Sequence, residues 1–342
     1  MGFKENDISY KIERGKIKMT TGTEPLISIC TPVYNTEKYL KECVESLFSA
    51  KMAENCEFIF VDDCSTDSSP RILEEICSGH KNLRIKIIRH KKNSGVAVAR
   101  NTALSNATGK FIIHIDSDDS VQPDFLEKLY TTAVETGADL VVCNNWRDFD
   151  TGTAGEQLVR ALLAHEMLPT LWCKIARRSL FSDNGIFWKE GLNVGEDPVI
   201  SVKLLYFSKK TVFIRDMLYN YKSYIGFVTK LKKLNELEQK ALEFSEIEKF
   251  ASEHGFLEYV SDLLELRRAE IRYDYLKSEK PFSFRKYSFL GNISLGLLCQ
   301  KRPDFNKKTT LLLIRLVDAH HFFLANMMYF FYRVFLRSGG KQ

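Results

Sequence analysis

The chain has 342 residues, of which 44% are apolar and 27% are charged, so its composition excludes a disordered or fibrous protein. The net charge of +5 is small, and the last 42 residues, 301–342, carry a net charge of +6 by themselves. The length allows two domains, or one large domain with an appendage.

Residues 1–24 form a predicted N-terminal extension that lacks the apolar core of a signal peptide. We therefore expect a cytoplasmic protein. Its eight cysteines include no C-x-x-C pair, and several lie in apolar runs, which disfavours a zinc site and predicts reduced, mostly buried thiols.

Five short runs rich in β-branched and aromatic residues predict strands, and helical patterns separate most of them. The runs are LISICTPVY (26–34), CEFIFVDD (56–63), RIKIIRH (84–90), KFIIHIDSDD (110–119) and DLVVCNN (139–145). Alternating strands and helices predict an α/β fold with a mainly parallel sheet flanked by helices.

Helices are predicted at 36–48, at 69–77 and after Pro123, where Gly137 ends the pattern. Ser69 is the expected cap of the second helix, with Pro70 at its first helical position. The periodicity then blurs, and we assign 25–225 to one domain. A charged helical texture follows, and we assign 226–306 to a C-terminal helical appendage.

Three polar clusters follow predicted strands: TPVYN, DDCSTD and DSDD. In open α/β sheets, ligands bind beyond the carboxyl ends of the strands, so all three clusters are expected to face one crevice. Asp and Asn at strand ends also form turns without further function. Three clusters at equivalent positions favour the binding crevice.

The cluster at 116–119 is unusually acidic, because Asp116, Asp118 and Asp119 follow a predicted buried strand. Crowded carboxylates repel one another, and a bound cation would relieve that repulsion. Mg²⁺ and Mn²⁺ are commonly held by one or two carboxylates together with substrate phosphates. The pair Asp116 and Asp118 is therefore a candidate divalent metal site.

Five motifs occur in one order along the chain: SICTPVYN, FVDDCSTD, KKNSGVAVARNTALSNATG, FIIHIDSDD and GEDPVI. With these motifs the chain closely resembles the family 2 glycosyltransferases from about Pro25 to Tyr224. The resemblance implies a GT-A fold and a catalytic domain at 25–225. It also implies metal-dependent, inverting transfer of one sugar from a UDP-sugar to a hydroxyl of a glycan or lipid-linked acceptor in cell-surface polysaccharide biosynthesis.

The resemblance also implies roles at the nucleotide. Pro32 and Tyr34 would line the base pocket, with the Tyr34 ring against a uracil. Asp63 would accept from the uracil imide N–H, Asp62 would support it or reach the ribose, and Arg100 would lie near the nucleotide or the sugar. These residue types suit those roles, since a flat ring stacks on a base and a carboxylate accepts from N–H.

At the metal, Asp118 would bind Mn²⁺ or Mg²⁺ most directly, with Asp116 beside it or on the ribose. The later pair Glu196 and Asp197 matches the acidic catalytic motif of the family. Asp197 would be the base that takes the proton of the acceptor hydroxyl, with Glu196 as the fallback. Acids at a helix N-terminus also interact favourably with the helix dipole, and both explanations can hold together.

Two further groups have weaker assignments. Lys174, Arg177 and Arg178 resemble a basic segment of the family and would touch the diphosphate or the acceptor, or else form a solvated helix face. Trp172 and Trp188 would form a sugar platform or belong to the core, and the core is favoured.

The segment 307–342 predicts a basic amphipathic helix, because its polar residues fall within about a third of a helical wheel. Its longest charge-free run has 14 residues, fewer than the ~17–25 of a spanning helix. Residues 308–337 therefore suit an anionic membrane surface at the inner face of the plasma membrane. The alternative is packing on the catalytic domain or on an oligomer partner, and we favour the membrane.

Other functions are less consistent with the sequence. A sugar-phosphate nucleotidyltransferase would need a Gly-rich basic loop after the first strand, where TPVYNTEKY stands. A catalytically silent UDP-sugar-binding or scaffold protein would tolerate loss of a motif acid, and none is lost. The basic tail is too apolar to predict nucleic-acid binding.

Overall fold

The computed structural model describes residues 10–13, 16–19, 24–145, 147, 149, 153–222 and 227–277. These residues form two compact units. The first contains the described residues up to 149 together with 170–188 and 207–222, and the second contains 153–169, 189–206 and 227–277. The predicted boundaries at residues 25, 225 and 306 remain predictions.

The described strands, in chain order, are β1 (Tyr10–Glu13), β2 (Lys16–Met19), β3 (Ile27–Val33), β4 (Cys56–Asp62), β5 (Arg84–Arg89), β6 (Phe111–His114), β7 (Ser120–Val121), β8 (Leu140–Val142), β9 (Lys174–Arg177), β10 (Thr211–Phe213) and β11 (Tyr219–Asn220). The described α-helices are α1 (Leu40–Phe48), α2 (Ser69–Ser78), α3 (Val96–Ser105), α4 (Phe125–Thr136), α5 (Glu156–Leu163), α6 (Arg178–Asp183), α7 (Glu196–Phe207), α8 (Phe227–Glu253) and α9 (Leu257–Lys277).

A seven-stranded sheet in the order β10-β8-β9-β6-β3-β4-β5 is the core of the first unit. Strands β6, β3, β4 and β5 are mutually parallel, and β8 pairs in parallel with β10. Only β9 is antiparallel to its neighbours in this sheet. All five strands predicted from sequence are present, and the predicted mainly parallel α/β sheet is confirmed.

Strand β9 corrects the interpretation as a solvated helix face for Lys174 and Arg177, whereas Arg178 is exposed and begins α6. Lys174 begins this strand and is buried, and its ammonium group donates to the Thr170 carbonyl. The four residues of β9, KIAR, hold only two adjacent apolar residues between two basic ones, which is too short a run for the sequence to indicate a buried strand.

The start of α2 differs by one residue from the prediction. Ser68 occupies the cap position, and the Ser69 hydroxyl instead accepts from the Thr36 N–H at 2.9 Å. The Asp67 carboxylate supplies the local cap, because Asp67 Oδ1 accepts from the Ser69 N–H at 2.9 Å. The serine predicted as a cap therefore joins α2 to the loop after β3.

The second unit contains α5, the first eleven residues of α7, α8 and α9. Arg160 of α5 forms a bidentate ion pair with Asp262 of α9, with N–O distances of 2.7 and 2.8 Å. Tyr206 at the end of α7 stacks on Phe256, with ring centroids 4.9 Å apart. No described helix is long and apolar enough to cross a membrane. The predicted tail at 307–342 and the appendage beyond residue 277 lie outside the described residues.

Candidate active site

The three predicted polar clusters lie at one edge of the sheet. Strands β6, β3 and β4 are adjacent and parallel, so their carboxyl ends lie side by side. This arrangement brings together Tyr34 after β3, Asp63 after β4 and Asp116 after β6. The sequence prediction of one crevice-forming edge is therefore consistent with the topology.

Hydrogen bonds join the loops after β3 and β4. The Asn35 N–H donates to Ser65 Oγ at 3.1 Å, and the Thr66 N–H donates to Asn35 Oδ1 at 2.8 Å. Asn35 has a positive φ of 52°, a conformation that asparagine tolerates better than most residues. In the same part of the chain, Pro32 is half-buried. Tyr34 is 41% exposed, so its ring is accessible for stacking.

Asp63 is buried and organises the loop before α3. Its Oδ1 accepts from the Ser94 N–H at 2.9 Å and lies 2.7 Å from His90 Nδ1, and its Oδ2 accepts from the Gly95 N–H at 2.7 Å. A carboxylate has about four acceptor positions, so three protein partners leave one for a ligand. Asp62 is also buried, and its Oδ1 accepts from the Ser65 N–H at 3.1 Å.

Arg100 and Asp116 form a direct ion pair. Arg100 lies on α3 with its side chain 4% exposed, and its Nη2 donates to Asp116 Oδ1 at 2.8 Å. The Asp116 side chain is 31% exposed, so this carboxylate contacts both the buried cation and solvent. The guanidinium group thus offsets part of the acidic charge and orients Asp116.

The rest of the acidic cluster is divided between a half-buried and a buried carboxyl group. Burial, together with the charge of Asp116, raises the pKa of Asp118. Asp119 is buried, and burial raises its pKa to about 7 against the opposing effect of its hydrogen bonds. Those bonds come from the Tyr219 hydroxyl to Oδ2 and from the Lys222 N–H to Oδ1, each at 2.8 Å.

Tyr219 connects the acidic loop to an aromatic stack. Its hydroxyl oxygen also accepts from the Asp116 N–H at 3.3 Å. The Tyr219 ring stacks on Trp172 at 4.3 Å with an interplanar angle of 15°, and Trp172 stacks on the exposed Tyr221 at 6.0 Å and 12°. This stack holds the segment 219–222 beside the acidic loop.

Both candidate platform tryptophans are buried, as the favoured core interpretation predicts. Trp188 packs against His114 at a centroid distance of 4.6 Å. The two arginines of the basic segment bind the protein itself: Arg177 Nε donates to Asp139 at 3.1 Å, and Arg178 Nε donates to the Gly109 carbonyl at 2.9 Å.

The acidic edge of the sheet, formed by Asp116, Asp118 and Asp119, suits a divalent cation that a substrate also coordinates. Among the described residues there is no group of three or more His, Cys, Asp or Glu side chains that could hold a metal by themselves. Asp116 and Asp118 provide two partly exposed carboxylates, and the pKa of Asp118 is raised by burial and, to a lesser extent, by the charge of Asp116, which a cation would offset. This donor set fits Mg²⁺ or Mn²⁺ with phosphate oxygens as further ligands.

Glu196 and Asp197 belong to the second unit, where they form the first turn of α7. Gly195 precedes them with a φ of +87°, a backbone conformation that glycine adopts readily and other residues rarely adopt. The favourable position of acids in a first helical turn is therefore present, as the dipole explanation requires.

Sequence reasoning missed His90, Tyr219 and Lys222 as parts of this edge. His90 was detectable, because it ends a predicted strand whose carboxyl end meets the same edge through the parallel pairing of β4 and β5. Tyr219 and Lys222 lie about 100 residues from the carboxylate that they bind. No local pattern marks such a contact.

Comparison with known proteins identifies the family. Residues 28–190 match the family described as glycosyl transferase family 2. EpsH of Bacillus subtilis (strain 168), which is named as a glycosyltransferase, is 31% identical over 260 residues, covering 71% of this chain and 72% of EpsH. The chain belongs to glycosyl transferase family 2. It is accordingly a glycosyltransferase.

Another relative is the poly(ribitol-phosphate) beta-N-acetylglucosaminyltransferase TarS of Staphylococcus aureus (strain Mu50 / ATCC 700699). It is 30% identical over 205 residues, which cover 57% of this chain and 35% of TarS. This family 2 chain therefore matches about a third of that longer protein.

Solved structures show the same fold. The crystal structure of S. aureus TarS 1-349 has a TM-score of 0.61 at 22% identity, covering 90% of this chain and 91% of the fragment. A mannosyltransferase from Pyrobaculum calidifontis has a TM-score of 0.55 at 17% identity, covering 90% of this chain and 86% of the other. The GT-A fold predicted for this family 2 chain is confirmed.

Proposed function

We propose that this glycosyltransferase is a metal-dependent, inverting enzyme that moves one sugar from a UDP-sugar to a hydroxyl of a glycan or lipid-linked acceptor. The observation that carries the proposal is the edge formed by β6, β3 and β4. At the carboxyl ends of these adjacent strands, an exposed Tyr34 follows β3 and a partly exposed pair, Asp116 and Asp118, follows β6. Asp116 is ion-paired with the buried Arg100.

For the nucleotide, Tyr34 supplies the exposed aromatic face on which a uracil would stack, and Pro32 lines the same pocket. Asp62 and Asp63 supply acceptors for the base and the ribose. Because Asp63 already accepts from three protein partners, its contact with the uracil imide would use its remaining acceptor position.

For the diphosphate, Asp118 would hold Mn²⁺ or Mg²⁺, with Asp116 beside it or on the ribose. The bound cation would stabilise the charge that develops on the departing diphosphate. Arg100 fixes the orientation of Asp116 through the 2.8 Å ion pair and would lie near the nucleotide or the sugar. This role of Arg100 is indirect, since the described contact joins it to a carboxylate of the protein.

For the acceptor, we assign the base to Asp197, with Glu196 as the fallback. A hydroxyl is a poor nucleophile, so a carboxylate must take its proton as it attacks the anomeric carbon. Attack from the face opposite the diphosphate inverts that carbon. The match of GEDPVI to the acidic motif supports this assignment, and the first-turn position of both acids is compatible with it.

The named relatives support the substrate class. TarS is named for transfer of N-acetylglucosamine to poly(ribitol-phosphate), and one structure of TarS 1-349 holds UDP-GlcNAc. The Pyrobaculum mannosyltransferase was crystallised with GDP-Man and Mn²⁺, which supports a nucleotide-sugar donor with a divalent metal and leaves the choice of UDP to the TarS comparison. We infer a role in cell-surface polysaccharide synthesis, with 25–225 as the catalytic domain and the inner face of the plasma membrane as the site of action.

The direct test is UDP release from UDP-glucose, UDP-galactose, UDP-N-acetylglucosamine and UDP-N-acetylgalactosamine, each with Mn²⁺, with Mg²⁺ and with a chelator. We expect slow hydrolysis of one donor that the chelator abolishes. Hydrolysis that persists at the same rate in chelator would contradict metal dependence.

The assignment of the base is tested by Asp197→Asn, compared with Glu196→Gln. Loss of the base is expected to lower kcat by about 100-fold or more, since general base catalysis contributes about 10²–10⁴-fold. UDP affinity, measured by calorimetry, should be unchanged. Wild-type turnover by the Asn variant would remove Asp197 from this role.

A further inference from the structure

One face of α8 contacts the loop that leads into the acidic pair of α7. Gln239, Glu243 and Glu246 are spaced four and three residues apart, so they lie on the same side of the helix. Each contacts the segment 189–195. The helix and the loop both belong to the second unit.

Gln239 binds the loop backbone at three points. Its Oε1 accepts from the Asn193 N–H at 2.6 Å and from the Val194 N–H at 3.2 Å. Its Nε2 donates to the Gly191 carbonyl at 3.0 Å. One side-chain amide therefore satisfies two backbone donors and one acceptor within four residues, which fixes the backbone path of the loop.

Glu243 packs against Gly195, the residue directly before Glu196. A Cβ placed on Gly195 would clash with Glu243 Oε2, so the carboxyl group occupies the space that a side chain at position 195 would need. Glu243 is buried, and its Oε1 accepts from Arg267 of α9 at 3.2 Å. The ion pair holds the carboxyl group against the loop.

Two further contacts fix the start of the loop. The Leu192 side chain is fully buried, and its N–H donates to the Lys189 carbonyl at 3.1 Å. The Lys189 ammonium group lies 3.5 Å from Glu246 Oε1. The loop is thus anchored at both ends and along its middle.

We propose that Gln239 and Glu243 of α8 are positioning residues that hold the loop 191–195 and thereby orient Asp197 for proton transfer. The proposal rests on the proposed function, in which Asp197 is the base. The helical segment after residue 226 then has a role in catalysis through the loop, beyond the packing role that its sequence indicates. Neither residue needs to touch a substrate.

The experiment compares Gln239→Leu with Gln239→Glu. The Leu variant removes all three hydrogen bonds at similar volume, whereas the Glu variant keeps the acceptor for the Asn193 and Val194 N–H groups. The matched control is Glu238→Leu, which adds the same apolar group at the neighbouring exposed position of α8.

Two readouts are measured on the full-length protein: amide hydrogen exchange of the peptide covering 189–197, and UDP release across the panel described above. We expect Gln239→Leu to speed exchange at 193–194 and to lower kcat about tenfold or more at unchanged donor KM, because small displacements of a reacting group cost large factors in rate. Gln239→Glu keeps two of the three bonds but places a carboxylate oxygen against the Gly191 carbonyl, so both readouts should fall between those of Gln239→Leu and wild type. Glu238→Leu should remain within about twofold of wild type in both.

Wild-type kcat in Gln239→Leu would overturn the proposal, whether or not exchange changes. Unchanged exchange in that variant would overturn it as well. Failure of the proposed function has a different signature: an Asp197→Asn enzyme with wild-type kcat, or a wild type that hydrolyses no donor. The hydrogen-exchange result does not depend on whether Asp197 is the base or on whether any donor is hydrolysed.

Discussion

Arg100 Nη2 lies 2.8 Å from Asp116 Oδ1, and this ion pair joins a buried cation to a carboxylate that reaches solvent. The arginine is on α3 and the aspartate follows β6, so the ion pair fixes the loop after β6 to α3. The acidic edge therefore has its own positive charge within the core, which explains how three carboxyl groups within four residues are tolerated.

Arg100→Lys is expected to lower kcat/KM for the UDP-sugar by about 10- to 100-fold. Lysine keeps the charge but loses the planar donor set that orients Asp116, and such replacements are not conservative at ion pairs of this kind. Steady-state UDP release measures the effect. Arg71→Lys is the control, because Arg71 forms an exposed pair with Glu75; equal behaviour of the two variants would refute the role of Arg100.

Tyr219→Phe is expected to weaken metal-dependent UDP binding by roughly fivefold to tenfold. The change removes one hydroxyl with two hydrogen bonds at the acidic loop, each worth about 1 kcal/mol, and keeps the ring that stacks on Trp172. Calorimetry with UDP and Mn²⁺ measures it.

The control for that prediction is Tyr221→Phe, since the Tyr221 ring stacks on the same tryptophan and is 64% exposed. If both Phe variants bind UDP as the wild type does, the Tyr219 hydroxyl does not hold the acidic loop in its binding geometry.

Glu57 is predicted to make the free energy of unfolding depend on pH. It lies near the amino end of β4, at the opposite end of the sheet from the candidate site. Burial alone would raise its pKa, but hydrogen bonds from Ser28, Thr108 and Gly109 outweigh burial and lower the pKa below its ordinary 4.5. The ionised form therefore stabilises the fold fully above that value, and the contribution is lost as pH falls through the lowered pKa.

Glu57→Gln should reduce the free energy of unfolding by about 1–3 kcal/mol at pH 7, because the charged acceptor is replaced by a neutral one. The difference from wild type should shrink as the pH is lowered below 4.5. Urea unfolding at several pH values measures both, with the exposed Glu54→Gln as control. A difference that stays constant with pH would show that ionised Glu57 is not the stabilising group.

Most of the sheet was predictable because its strands are short apolar runs bounded by polar residues. The run CEFIFVDD predicts β4, whose seven residues are all buried, and the carboxyl-end rule places Asp63 at the ligand edge. The glycine that ends α4 was equally clear, since Gly137 has the positive φ of 69° that a left-handed helix end requires. These features depend on local composition.

The parts that escaped prediction depend on contacts between distant residues. Helix α3 has a short Ala- and Val-rich sequence in which Arg100 is buried, so hydrophobic periodicity did not show it. The bond from Tyr219 to Asp119 spans 100 residues, and the bonds from Gln239 to the loop at 193–194 span about 45. Only folding brings such pairs together.

The most direct test of metal-dependent UDP recognition at this edge is calorimetric titration of UDP into the wild type and Asp118→Asn, each with Mn²⁺ and with a chelator. This measurement needs no acceptor. We expect the wild type to bind UDP in Mn²⁺, the chelator to weaken binding by about tenfold or more, and Asp118→Asn to bind weakly under both conditions. Equal UDP affinity in all four titrations would contradict a divalent cation held by Asp118.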